Sequence, residues 1–447
     1  MRKKRWDIPQ KKNMRGLKVL VTLLLGGVLL IIVYFLPPVH VRLAPRLNTI
    51  RAEIYYFFNP PERISFSPTQ QAEMDDIVSK TRTAMAPTPT ATIEPSITPT
   101  DYQSPTPTET PAPTFTATPI PSQMKLDGVV WENQKLYNNY CGPANVSMAL
   151  SYWEWEGDQT VTGPWLKPNP EDRNIMPYEM ADYVRQETHL DVILRYGGDL
   201  ETIKKFIAAG FPVIIERGFQ EEVPNDYWMG HYNVIVGYDD FEQEFIIQDS
   251  YVGENYKRPY DFIYRHWRAF NFVYLVVFPG EQYNEIQDIL GPHIDETYNI
   301  QETARRALEE TEQLEGNNLF FAWFNYGASL RLLNDYYGAA QAFDTAYTLL
   351  EEMYEGLDPL YRILWYRTDP YFAYFYTERY EDVLTLTKKT LNSSFVPAIE
   401  ESWVWQGRAK AKLGDTEGAI KDFRTALEWH PGWGIAEQEL RNLGVEP

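Results

Sequence analysis

The sequence predicts an α+β domain followed by an all-α domain of helical repeats, both carried outside the membrane by an N-terminal transmembrane helix. Three observations predict it. An apolar run of bilayer length stands near the start, residues 124 to 280 pass from helical to strand periodicity, and from about residue 295 one set of landmark residues recurs at fixed offsets. At 447 residues the chain is too long for a single compact core. Its 44% hydrophobic and 15% aromatic content can fill several cores, while 32 prolines point to a non-globular segment between them.

Residues 1 to 16 carry Arg2, Lys3, Lys4, Arg5, Lys11, Lys12 and Arg15 against a single Asp7, and Leu17 to Leu36 follow as an apolar run interrupted only by Lys18 and Thr22. That is long enough to span a bilayer as a helix, and the run ends in Pro37-Pro38-Val39-His40 rather than a small-residue cleavage site, so an uncleaved anchor is expected. The basic excess ahead of the span places the N-terminus in the cytoplasm and the rest outside the cell membrane. Residues 37 to 85 form a membrane-proximal region with Ile50, Ile54, Tyr55 and Phe58 at helical spacing. Residues 86 to 122 are Pro/Thr repeats without the apolar side chains needed to offset the entropy of folding, a disordered stalk of on the order of 100 Å if it takes up polyproline II.

Between 124 and 280 a helix is expected from Pro143, with Val146, Ala149, Leu150 and Trp153 on one side. A second helix, Leu200 to Ala209, is stopped by Gly210, and Pro212 to Glu216 reads as a buried strand. Strands His231 to Tyr238, Phe245 to Gln248 and Phe272 to Phe278 follow, the first two joined by a turn at Asp239-Asp240. Helix first and antiparallel strands later is an α+β order.

From 295 to 445, Trp323, Gly327, Ala339, Phe343 and Ala346 are matched at identical offsets by Trp403, Gly407, Ala419, Phe423 and Ala426, with Pro431 closing the second set. This pattern resembles the tetratricopeptide repeat (TPR), a helix pair in which small residues allow close approach and aromatics fill the space between. Residues 357 to 392 resemble a degenerate copy, with Tyr380 to Leu391 as its second helix. The resemblance implies a TPR-like domain that binds a protein partner.

Cys141 is the only cysteine, which excludes an intramolecular disulfide and leaves either a buried small residue or a reactive thiol. It lies in Asn139-Tyr140-Cys141-Gly142-Pro143-Ala144, at the start of a helix, where free amides and the helix dipole favour a thiolate. Of six histidines, only His231 opens a clear strand from which it could be held against that helix as a base. If the two strands pair as a hairpin centred near Asp240, position 231 falls opposite Asp249, which would orient the imidazole. The oxyanion donors are then the Cys141 backbone N–H and a side-chain amide from upstream, Gln134, with Asn133, Asn138 and Asn139 as alternatives. Tyr227 and Trp228, just before the strand, pack in the core or line the cleft. His189, His266, His293 and His430 have no metal-ligand spacing, and no metal or cofactor is expected.

Gln134, Cys141-Gly142-Pro143-Ala144, Gly210-Phe211-Pro212-Val213-Ile214-Ile215, Gly230 to Asp239 and Gln248-Asp249-Ser250 resemble, in this order, the landmarks of C39-like peptidase domains. The resemblance implies an α+β papain-like cysteine peptidase fold, with thiol hydrolysis of peptide or isopeptide bonds through an acyl-enzyme and with Cys141, His231, Asp249 and Gln134 in the catalytic roles. Ser250 stands where proline is expected in relatives. No transporter or nucleotide-binding domain accompanies the segment, so cleavage of leader peptides is not implied. An NlpC/P60-type cell-wall endopeptidase and a scaffold with a retired enzyme domain are the competing readings. A net charge of -21 argues against a nucleic-acid partner.

Overall fold

The computed structural model describes Gly26, Val33 and residues 120–137, 139–219, 228–353, 359–394 and 396–447. Gly26 and Val33 are helical, and the rest of the expected tail, span, membrane-proximal region and most of the stalk lie outside the described residues. Among the described residues no helix is long and apolar enough to cross a membrane.

The first half is an antiparallel sheet built from β1 (Gln123–Lys125), β2 (Leu190–Arg195), β3 (Val213–Phe219), β4 (Met229–Asp239), β5 (Glu244–Asp249), β6 (Gly253–Pro259) and β7 (Tyr274–Pro279). The strands run in the order β2-β7-β3-β4-β5-β6, with β1 pairing the far end of β4. Helices α1 (Cys141–Ser151), α2 (Gln159–Leu166), α3 (Pro177–Glu187), α4 (Leu200–Ala208), α5 (Tyr260–Trp267) and α6 (Tyr283–Leu290) complete it. Successive residues of a strand point to opposite faces. Thus Ile214 and Val234 join Val146 of α1 and Met180 of α3 in one core. Ile215 and Ile235 join Phe206 of α4 and Ile263 of α5 in the other. The middle strands are therefore covered on both sides, which explains why Val213 to Ile215 is a continuous apolar run rather than an alternating one. This is an α+β arrangement consistent with a papain-like fold.

Three expectations are corrected. Helix α1 begins at Cys141, not Pro143, because a proline needs only a place within the first turn, where its missing N–H has no helical partner. The first turn closes upstream of it, through Ala144 N–H to the Tyr140 carbonyl at 3.1 Å. The last strand begins at Tyr274 because Asn271 and Phe272 have φ of 52° and 53°, a left-handed step that extended backbone does not contain. In the hairpin, Val234 pairs with Gln248, so continuing the ladder puts Asp249 opposite position 233 rather than 231. The turn, 240–243, is centred beyond Asp240, and a bulge lies between Ile235 and Gly237.

The second half is helical: α7 (Glu296–Thr311), α8 (Gly316–Leu332), α9 (Tyr336–Met353), the 3-10 segment Pro359–Trp365, α10 (Asp369–Tyr376), α11 (Tyr380–Asn392), α12 (Glu400–Lys412), α13 (Thr416–Trp429) and α14 (Gly434–Asn442). Asp295 caps α7, its carboxylate accepting the Tyr298 N–H at 2.7 Å. The two landmark sets fall on α8/α9 and α12/α13. A Cβ on Gly327 would come within 2.9 Å of the Phe343 ring and one on Gly407 within 2.6 Å of the Phe423 ring, so the same glycine lets the same phenylalanine in at both places. The middle pair has an α10 of 8 residues against 17 in α8, which accounts for its missing landmarks.

The two halves share a core. Trp228, Ala269, Phe270 and Val273 of the sheet half are buried in one cluster with Phe320, Phe321, Phe324 and Tyr366 of the helical half. Buried polar contacts cross the same boundary: Arg268 pairs with Glu310 at 3.0 Å, and Arg367 Nη1 donates to the Ala269 carbonyl at 3.0 Å.

Candidate active site

Cys141, the first residue of α1, is half-buried, and its sulfur is hydrogen-bonded to His231 and to the Tyr232 backbone N–H. His231 sits near the start of β4 and is 3% exposed. Its Nε2 lies 2.9 Å from Asp249 Oδ1, which leaves Nδ1 to face the sulfur. Although Asp249 is not directly opposite, residues 231 and 233 share a face of β4, and a diagonal neighbour is within reach of a long side chain. The structure thus brings Cys141, His231 and Asp249 into one hydrogen-bonded line.

Asp249 is fully buried and anchored from several sides. Its Oδ1 also accepts the backbone N–H groups of Tyr251 and Val252 at 2.8 and 2.9 Å, and its Oδ2 receives Arg217 Nη2 at 3.3 Å. Burial pushes this carboxyl up, but the His231 and Arg217 charges and these donors outweigh it and hold it well below the usual carboxylate range. Burial likewise pushes the His231 imidazole down, and Asp249 and Cys141 reverse that, raising it to about 9. For Cys141, burial pushes the thiol up while the His231 hydrogen bond and charge, the Tyr232 N–H and the Lys167 ammonium bring it below the ordinary thiol value. The direction for the pair is clear: a thiolate beside an imidazolium is the favoured state near neutrality.

Gln134 is 9% exposed and opens a 3-10 turn, with its N–H on the Ser250 carbonyl at 3.0 Å and its Oε1 accepting Ser250 Oγ–H at 2.6 Å. The oxygen end is thus held by Ser250, and Nε2 is the donor end of the amide. Of the alternatives, Asn139 is committed elsewhere, its Nδ2 donating to the Asp172 carbonyl at 3.2 Å. The Asn133 carbonyl accepts Gln159 Nε2 at 3.1 Å, and Asn138 lies outside the described residues. Tyr227 does too, while Trp228 is buried in the shared core. His189 is exposed, His266 Nδ1 bonds the Phe262 carbonyl at 2.8 Å, and His430 Nδ1 bonds Glu400 at 2.9 Å. Among the described residues no group of acidic, His or Cys side chains could hold a metal ion.

Several residues of the site escape a reading of the sequence. Arg217 is fully buried, with Nε on Asn233 Oδ1 at 2.5 Å, and together they fix the cation beside Asp249. A Glu216-Arg217 pair in an otherwise apolar strand was the available signal, since charges in a covered strand need partners. Asn145, one turn after the cysteine, donates to the carbonyls of Cys141 and Tyr232 at 2.8 and 3.0 Å and to Ser250 Oγ at 3.2 Å. Ser250 therefore links Asn145 to Gln134, a role proline could not fill. Glu216 is also buried beside Tyr232, where burial first and the neighbouring thiolate second push its carboxyl well above the usual range.

A family model described as the Peptidase_C39 like family matches residues 122–275. That segment contains all seven strands in whole or part, with Gln134, Cys141, His231 and Asp249, and it suggests a cysteine peptidase. Among solved structures, the chain is similar to one described as the crystal structure of a putative C39-like peptidase from Bacillus anthracis. The identity is 16% over 35% of this chain and 96% of that chain, with a TM-score of 0.28. No curated protein matches.

Proposed function

We propose that the chain is a membrane-anchored, extracytoplasmic cysteine peptidase that hydrolyses peptide or isopeptide bonds through Cys141, His231 and Asp249. The observation that carries this is the hydrogen-bonded line from a lone thiol at a helix start, through an imidazole, to a buried carboxylate. In the reaction the thiolate attacks the scissile carbonyl carbon, and the oxyanion takes hydrogen bonds from the Cys141 N–H and Gln134 Nε2. The His231 imidazolium gives its proton to the leaving amine, forming a thioester. Neutral His231 then takes a proton from water, hydroxide adds to the thioester, and collapse releases the acid and restores the thiolate and imidazolium. Asp249 holds the ring in orientation and stabilises its charged form, as Arg217 keeps Asp249 ionised.

In the same reading, residues 17–36 anchor the chain with the N-terminus in the cytoplasm, and the helical half is a TPR-like domain that binds a protein partner or substrate. The apolar run and the repeated landmarks support these two parts.

Cys141→Ala should abolish hydrolysis of peptide substrates; retained hydrolysis would reject the peptidase reading. His231→Ala should lower kcat by about 10²–10⁴. The pH profile is expected to rise as the thiol ionises below its ordinary range and to fall as pH passes about 9, where His231 loses the proton it must donate. A profile whose acid limb sits at an ordinary thiol would show that the ion pair does not form.

A further inference from the structure

Aromatic side chains of the helical half pack at the start of the strand that carries His231. Trp228, three residues before the histidine, is 4% exposed. Its ring lies 5.8 Å from Phe270 with an interplanar angle of 6°, 6.1 Å from Phe321 of α8 and 6.0 Å from Tyr366. Gly230, the residue next to His231, is in closer contact still. A Cβ there would lie 2.8 Å from the Tyr366 ring and 2.7 Å from Phe270. The Gly230 backbone N–H donates to the Tyr366 phenol oxygen.

This grip falls where the site is built. Gly230 pairs with Gly218 and His231 with Arg217 across the β3–β4 ladder, so the strand ends held by the aromatic stack are those that carry the imidazole and the cation on Asp249. A Cβ on Gly218 would in turn meet Trp228 Nε1 at 3.0 Å, which ties both strands to the same ring. Further along the boundary, the Arg173 N–H reaches the Ala398 carbonyl at 3.2 Å and its guanidinium the Val396 carbonyl at 3.3 Å, adding a second hold on the loop that follows Lys167. An imidazole works as a base only when held to within a fraction of an ångström, and that precision comes from packing around the strand that bears it.

We propose that Trp228 and Tyr366 are positioning residues, through which the helical half sets His231 against Cys141. The two halves then form one catalytic unit rather than an enzyme with an appended repeat domain. In its functional meaning this rests on the peptidase reading. It also implies that whatever binds the helical half near α8 or the 359–367 segment acts on the site through this stack.

The test uses the full chain and the rate of Cys141 alkylation by iodoacetamide as a function of pH, which needs no substrate. Tyr366→Phe removes only the oxygen that receives the Gly230 N–H, and Phe321→Ala opens space beside Trp228 from the helical side. Each should move the midpoint of the alkylation profile upward by about half to one pKa unit, roughly a three- to tenfold slower rate on the acid limb below the midpoint, while thermal unfolding stays cooperative. Tyr337→Ala, at a position 71% exposed on α9, should leave the profile unchanged. If Phe321→Ala does not fold, Phe321→Leu and Tyr366→Phe decide. Folded variants with the profile of the unaltered chain overturn this inference alone. A midpoint in the unaltered chain equal to that of free cysteine overturns the peptidase reading itself, so the two failures are distinguishable.

Discussion

Two buried charged clusters in this protein solve the problem of burial in opposite ways. In the first, Cys141, His231, Asp249 and Arg217 alternate in sign, so each charge faces its opposite and Asp249 stays ionised with no exposure at all. In the second, where α3 meets α12, Asp172, Glu179, Glu400 and Glu401 face one another. Burial and their mutual repulsion push Glu179 up to about 8 and Asp172 and Glu401 well above the carboxylate range. Glu400 Oε1 has His430, but its buried Oε2 has no hydrogen-bond partner. Alternation keeps buried groups charged and chemically poised, whereas like charges are accommodated by retaining protons. Lys167 stands between the clusters and interacts with both Asp172 and Cys141.

The comparison can be broken most severely at Arg217. Arg217→Met would leave Asp249 buried without its cation, and the expected loss is about 3–5 kcal/mol of stability in urea unfolding. A change within error would mean that alternation contributes nothing. The second cluster should respond to pH in the opposite sense to a salt-bridged acid. Because the folded Glu179 binds its proton more tightly than an unfolded glutamate of about 4.3, stability should fall as pH rises from there toward about 8, by at most about 1.4 kcal/mol per unit for one such group. Glu400→Gln, by relieving the repulsion, should flatten that slope; a slope unaltered in thermal melts between these limits would remove the account. The smallest effect belongs to the bridge. Lys167→Met should move the midpoint of Cys141 alkylation upward by about half a pKa unit, about threefold in rate on the acid limb, and an unchanged midpoint would separate the clusters.

Much of the local structure was legible because it follows from neighbours in the chain. Gly210, at φ +94°, ends α4 where a residue free to turn left-handed was expected, and the hydrophobic run from Val213 is a doubly covered strand. The landmark glycines meet the landmark phenylalanines at equal offsets because a helix pair repeats its own geometry. Boundaries were less legible. A proline is compatible with several positions in a first turn, and a hairpin's register depends on the turn and on a bulge that the apolar pattern does not mark.

By itself the sequence determined that a single thiol starts a helix, that a histidine enters a buried strand, and that helix pairs recur downstream, since each depends on residues within a turn or a strand of one another. Only the tertiary structure decided that Arg217 neutralises Asp249, that Ser250 joins Gln134 to Asn145, and that Tyr366 reaches Gly230. Those contacts join segments distant in sequence, and they exist because burial forces each polar group and each ring to find a partner among whatever the fold brings beside it.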